Sequence, residues 1–180
     1  MIDVIVKGRR TGKTTQGINW LSQVRHGAVV CPYTNMARTL RSSHRDSDID
    51  FLSAGSELFS GNQSSLGLII RERSYDRIYV DDCFGLQDPV RFITGELFPL
   101  LIRHSGNSEP AMDRILMMGS PMGPQPEWLI ENQGNLFNII VEQPAPNTDE
   151  RIMVDWDRQE WQGFLQEYTQ PVIRMLSFEF

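Results

Sequence analysis

Eight consecutive residues near the amino terminus carry the first chemistry: Gly8, Arg9, Arg10, Thr11, Gly12, Lys13, Thr14 and Thr15, written GRRTGKTT. Glycines let a backbone come close to a ligand and turn its N–H groups inward. A lysine supplies a point charge, and the hydroxyl after it supplies a hard oxygen. Together these suit a polyphosphate: the amides of 8–15 cradle it, Lys13 meets its outer phosphates, and Thr14 helps hold Mg²⁺. Arg9 and Arg10 add two cations that would repel each other without a polyanion. The spacing departs by one residue from G-x-x-x-x-G-K-[ST]. That pattern asks for glycine at 7, where the chain has Lys7, and the glycine stands at 8. The plain alternative is a glycine turn with a solvated lysine.

A second group lies at 81–82, where RIYVDDCFG ends an apolar run with Asp81 and Asp82. One carboxylate can hold Mg²⁺ through water, and its neighbour can orient or deprotonate an attacking water. Hydrolytic loops of this kind mostly carry glutamate at the second position, and Asp82 is one methylene shorter. A third group, Gly119-Ser120-Pro121, ends the run RILMMGS. Its hydroxyl lies beside the acidic pair if the two runs form neighbouring strands, and there it could sense a terminal phosphate and relay its loss. Taken singly, both groups also read as ordinary turns.

The elements that must position these residues are short apolar runs alternating with helical patterns. Runs 2–6, 27–32, 76–82, 114–120 and 136–142 read as buried strands. Ile18, Leu21 and Val24 recur at helical spacing after the cradle, with Gly27 as the expected C-terminal cap. A second helix is expected over 88–104, opened by Asp88 and Pro89 and kinked or ended by Pro99. A third is expected near the end, where Asp157 and Glu160 form a capping box and Trp161, Leu165 and Tyr168 share a face until Pro171. The serine- and glycine-rich stretch 53–67 reads as an exposed loop. Strand–helix alternation with buried strands implies an α/β fold whose mostly parallel sheet is covered on both faces. Carboxyl ends of parallel strands are where such sheets bind ligands.

Composition narrows the class. With 180 residues, 40% hydrophobic and 22% charged, the chain reads as one soluble domain over 1–180. The net charge of −6 argues against a broadly basic nucleic-acid coat, though not against a local basic groove. Cys31 and Cys83 are far apart in apolar runs, so they read as buried thiols of a reducing compartment. No run approaches the roughly 18–20 apolar residues of a membrane span, and a cytoplasmic location is expected.

The order of the motifs resembles the ATPase domain of the large terminase subunit, the motor that packages viral DNA into capsids. That family has a deviant cradle, small-R-x-x-G-K-[ST], matched by GRRTGKT. An arginine ahead of an acidic strand is matched by RERSYDRIYVDDC, and a coupling motif ending in Ser/Thr-Pro by MMGSPMG. The resemblance covers residues 1–135. It implies a three-layer P-loop NTPase of the RecA-like (ASCE) type that binds ATP and Mg²⁺ and acts on double-stranded DNA. Lys13 and Thr14 would hold the triphosphate and metal, Arg9 would neutralise the γ-phosphate, and Asp81 would position Mg²⁺. Asp82 would stand at the catalytic carboxylate, and Ser120 in the coupling motif. Arg71 matches an arginine that in some members reaches a neighbouring subunit's nucleotide, which implies a homo-oligomeric ring. A viral portal or procapsid is the implied partner, in the host cytoplasm.

This chain departs from the family in three ways. Glu72 replaces the glycine that often follows that arginine. No segment for the adenine precedes the first strand. Residues 143–180 are too few for the family's nuclease domain, so either cutting would fall to another chain or this is an excised or divergent piece, and the extension with its one helix would serve as lid, docking element or core. The competing readings are a thymidine-kinase-like nucleoside kinase, a helicase-like protein and a non-catalytic nucleotide-binding regulator. The kinase reading lacks its usual zinc-binding cysteines, and the helicase reading lacks a second RecA-like half.

Overall fold

The computed structural model describes residues 1–55, 74–101, 112–142 and Phe164. Among them six strands form one sheet: β1 (Ile2–Val6), β2 (Gly27–Cys31), β3 (Ile49–Ser53), β4 (Arg77–Asp81), β5 (Ile115–Gly119) and β6 (Phe137–Val141). Their order is β3-β2-β4-β5-β1-β6, and every pairing is parallel. Parallel strands need helices on both faces, so they read as unbroken apolar runs rather than alternating ones. Val29, Val30, Ile78, Tyr79, Val80 and Met117 accordingly have no exposed surface.

Alternation along each strand sorts the core into two layers. Val29, Cys31, Phe51, Tyr79 and Met118 pack on one face with Leu21 and Ile18 of helix α1 (Lys13–Leu21) and Ala37 of α2 (Thr34–Ser43). Val4, Val6, Val30, Val80, Met117 and Ile139 pack on the other. There they meet Ile93 and Leu97 of the helical stretch 89–100, Leu129 of the short helix Glu127–Glu131, and Phe164. Each fully buried aliphatic side chain contributes about 2 kcal/mol. The result is a three-layer α/β arrangement.

Five of these strands lie within a residue or two of the expected positions; β3 and α2 were not anticipated. The first helix is shorter than its spacing implies. Ser22 N–H donates to Ile18 O, and Ser22 Oγ to Asn19 O, closing the last turn and leaving Val24 outside. Gly27 is not a helix cap but the first residue of β2. A Cβ there would stand 3.1 Å from Leu21 Cβ, so the glycine lets the strand pass beneath the helix end. In the second helix Asp88 caps as expected, its carboxylate accepting from Arg91 N–H. The helix widens to a π turn over Ile93–Leu97 and ends at Leu100, just after Pro99. Pro99 has no N–H to continue the ladder, and a π turn is one way a helix absorbs that loss.

The expected loop 53–67 begins differently. Ser53 closes β3, is 4% exposed, and shares a hydrogen bond with Thr34 Oγ1. Residues 56–67, and Arg71, lie outside the described residues, as does the 143–180 extension except for the helical, buried Phe164. Among the described residues no helix is long and apolar enough to cross a membrane.

Candidate functional site

The connections define where a ligand fits. β1 and β5 are neighbours, yet β1 feeds α1 on one face while β5 leads to the helix Glu127–Glu131 on the other. Adjacent strands whose chains leave on opposite faces open a crevice at their carboxyl ends. The loop 7–12 and Gly119-Ser120 border this crevice, and Asp81 and Asp82 follow on the next strand, β4.

Lys7 explains the shifted glycine. Its N–H donates to Gly119 O, so residue 7 still belongs to the strand ladder. Its ammonium donates to Gln16 Oε1 and pairs with the buried carboxylate of Glu142 at the end of β6. The turn therefore starts at the buried Gly8, whose carbonyl accepts from Thr11 Oγ1 (2.7 Å) and Lys13 Nζ (2.8 Å). Arg10 sits at φ 61° and Gly12 at φ 78°. Gly12 is the N-cap of α1, and a Cβ on it would touch nothing within 4 Å. Gly12→Ala is therefore expected to cost about 1–2 kcal/mol through backbone conformation alone. A lowered denaturant midpoint with unchanged slope would show this.

Three strand ends meet through side chains. Lys13 Nζ donates to Ser120 Oγ at 2.7 Å, linking the β1 loop to β5. Thr14 Oγ1 donates to Asp81 Oδ2 at 2.7 Å, linking α1 to β4. Asp81, 1% exposed, takes two further bonds on Oδ1, from the Tyr79 hydroxyl (2.7 Å) and from Asp82 N–H (3.1 Å). Asp82 is half-buried at φ 53°. Short polar Asp and Asn tolerate this left-handed region far better than Glu, which gives the missing methylene at position 82 a local reason.

The charges are poised against one another. Burial pushes the Asp82 carboxyl above the ordinary range, and the neighbouring Asp81 adds to this; Lys13 and Arg9 pull the other way. Burial lowers the Lys13 ammonium despite attraction to Asp81 and Asp82. Among the described residues the Lys13 ammonium donates only to neutral oxygens, Gly8 O and Ser120 Oγ, and forms no direct ion pair. Arg9 and Arg10 are exposed, and among the described residues neither makes a hydrogen bond or ion pair. Thr15 is exposed on the first turn of α1. Cys31 and Cys83 are buried free thiols; burial, then Asp81 and Asp82, push Cys31 up to about 12, so it stays protonated.

Of the expected site residues, Gly8, Thr11, Gly12, Lys13, Thr14, Asp81, Asp82 and Ser120 come together around one crevice. Sequence reasoning missed Tyr79, Gly17, and the Lys7–Gln16–Glu142 group. Tyr79 stands two residues before Asp81 and so shares its face of the sheet, a signal available from alternation alone.

The donor set fits Mg²⁺ with a polyphosphate. Among the described residues no three His, Cys, Asp or Glu gather, and Mg²⁺ in nucleotide sites takes one or two protein oxygens, the rest coming from water and phosphate. Thr14 and Asp81 offer that pair. A separate cavity of about 610 Å³ opens at the amino ends of β2, β3 and β4, lined by Arg25, His26, Asp48, Asp50 and Tyr75. It brings together no lysine, hydroxyl and carboxylate set comparable to that at the crevice. No protein-family model and no curated protein matches the chain.

Proposed function

We propose that this chain is a P-loop nucleoside-triphosphate hydrolase of the RecA-like (ASCE) type, binding ATP with Mg²⁺ at the carboxyl ends of β1, β5 and β4. One observation carries the reading: Lys13 reaching Ser120 and Thr14 reaching Asp81 bring a cation, two hydroxyls and a carboxylate from three strand ends to one crevice. The amides of the 8–12 loop and the amino end of α1 favour the phosphates. Lys13 exchanges Gly8 O and Ser120 Oγ for phosphate oxygens and so gains a direct anionic partner. Thr14 and Asp81 would hold Mg²⁺, which would supply charge neutralisation to the outer phosphates. Asp82 orients the attacking water and takes its proton. Arg9, at the mouth of the loop, meets developing charge on the terminal phosphate. Ser120 loses its Lys13 contact when phosphate is bound and recovers it afterwards, which gives the β5 exit loop a way to sense nucleotide state.

The motif order favours a use for this energy: movement of double-stranded DNA into a viral procapsid, by a ring in which Arg71 of one subunit serves the next. The test is ATP turnover by the purified chain alone, with double-stranded DNA, and with DNA plus empty procapsids. Stimulation by DNA and procapsids is the expected result. Turnover indifferent to both removes the motor reading and leaves the hydrolase, whereas phosphate transfer to a nucleoside makes the protein a kinase.

A further inference from the structure

We propose that Tyr79 is a positioning residue for the metal-holding carboxylate: its buried hydroxyl fixes Asp81 so that one oxygen alone faces Thr14 and the crevice. The inference rests on the nucleotide-site reading and extends it to a residue deep beneath the site.

Tyr79 and Asp81 are two apart on β4, so both side chains rise from the same face of the sheet, toward α1. The ring is fully buried. It is seated against Gly17 of α1, where even a single Cβ would lie 2.2 Å from ring atom Cε1. The helix therefore approaches β4 closely only because position 17 carries no side chain. With the ring clamped, the hydroxyl has one described acceptor, Asp81 Oδ1 at 2.7 Å.

The two carboxylate oxygens thus have separate tasks. Oδ1 takes Tyr79 O–H and Asp82 N–H, and Oδ2 takes Thr14 O–H. A carboxylate's final torsion is broad and two-fold, so without a partner on Oδ1 the group rotates readily. Deleting the hydroxyl leaves Oδ1 only the longer amide bond. Oxygens that hold metal ligands in place affect metal affinity although they never touch the metal. The same α1 carries Lys13 and Thr14 at its start and Gly17 one turn later. Close contact between Gly17 and Tyr79 therefore also sets how far Thr14 stands from Asp81.

The test is the affinity of the full chain for a fluorescent ATP analogue, measured across a Mg²⁺ titration and again in EDTA. For Tyr79→Phe the Mg²⁺ concentration at half-maximal binding is expected to rise about tenfold, with affinity in EDTA unchanged. Tyr75→Phe is the control. It removes another tyrosine–aspartate bond, Tyr75 O–H to Asp50 Oδ2 at 2.9 Å, at the opposite end of the sheet, and should leave the Mg²⁺ midpoint in place. An unmoved midpoint in folded Tyr79→Phe, or an equal loss of affinity in EDTA, overturns the positioning role while the site reading stands. A wild-type chain that binds no analogue at any Mg²⁺ concentration overturns both. If Tyr79→Phe does not fold, Tyr79→Met gives the same reading, because its flexible side chain fills the ring's site without a hydroxyl. A raised midpoint there supports the role, and an unmoved one ends it.

Discussion

Lys13→Ala is expected to abolish nucleotide binding and to lower any turnover by at least about a hundredfold, the scale of losing one preorganised charge partner of a transition state. The argument is electrostatic. Lys13 is already desolvated, held by a carbonyl and a hydroxyl, with its ammonium disfavoured by burial. Burying that charge costs stability in the free protein, while its attraction to Asp81 and Asp82 offsets part of the cost, burial being the larger. The variant should therefore melt close to the wild type without ligand. The difference emerges on adding ATP and Mg²⁺. At a hundredfold excess over Kd, binding stabilises the native state by about 2.7 kcal/mol, roughly 5–10 °C for a chain of this size. The wild type should show that shift and Lys13→Ala should not. An equal shift in both would remove Lys13 from the phosphate site.

Asp82→Asn should separate function from stability. Hydrolysis is expected to fall by about a hundredfold or more, because an amide cannot take the proton of an attacking water. Asparagine tolerates the left-handed backbone at 82 as aspartate does, so no new strain enters, whereas Asp82→Glu would add some. The folded state holds a proton on Asp82 more tightly than the unfolded chain does, owing to burial and then Asp81. The folded protein thus binds more protons than the unfolded one between the two pKa values, and stability falls as pH rises through that window. Asp82→Asn removes this decline. It should melt higher than the wild type at neutral pH, with the gain vanishing below the ordinary aspartate value of 3.8. With Asp82 in the proposed role of general base, the same shift should place the acid limb of kcat/KM above the usual carboxylate range. Melting curves from pH 3 to 8 for both proteins decide the matter; a variant less stable than wild type at neutral pH would mean Asp82 sits in a favourable ion pair instead.

Much of the site was legible because its residues occupy strand ends. A buried parallel strand announces itself as an apolar run, and the polar residues that stop the run must emerge at the carboxyl edge. Asp81 and Ser120 were therefore placed by pattern, and their approach to Thr14 and Lys13 followed from β5 lying between β1 and β4. What stayed hidden had weak local signals. The stretch IDFLS of β3 carries Asp50 and ends at Ser53, where the expected loop 53–67 begins, so its short apolar pair Phe51-Leu52 gave little signal. Helix α2 buries only Ala37 fully and begins without a side-chain cap at Tyr33; partly buried Met36 and Leu40 were the faint trace of its face. Gly27 misled because glycine after a helix usually ends it, yet here the glycine answers to crowding by Leu21. Tyr79 passed for plain core since its hydroxyl matters only once Asp81 is known to be alongside.

Phe164 has a practical bearing on how the protein can be trimmed. Its ring stands edge-on to Phe84, 5.8 Å away, in the turn directly after Asp82. Its carbonyl accepts from Gln125 Nε2, in the segment that follows Ser120. Phe84 in turn lies against Gly119, where a Cβ would come within 2.4 Å of the ring. A fragment cut off at residue 142 would strip the aromatic cover from Phe84 and an anchor from Gln125, loosening the two turns that border the crevice. A fragment that keeps these contacts must therefore include Phe164.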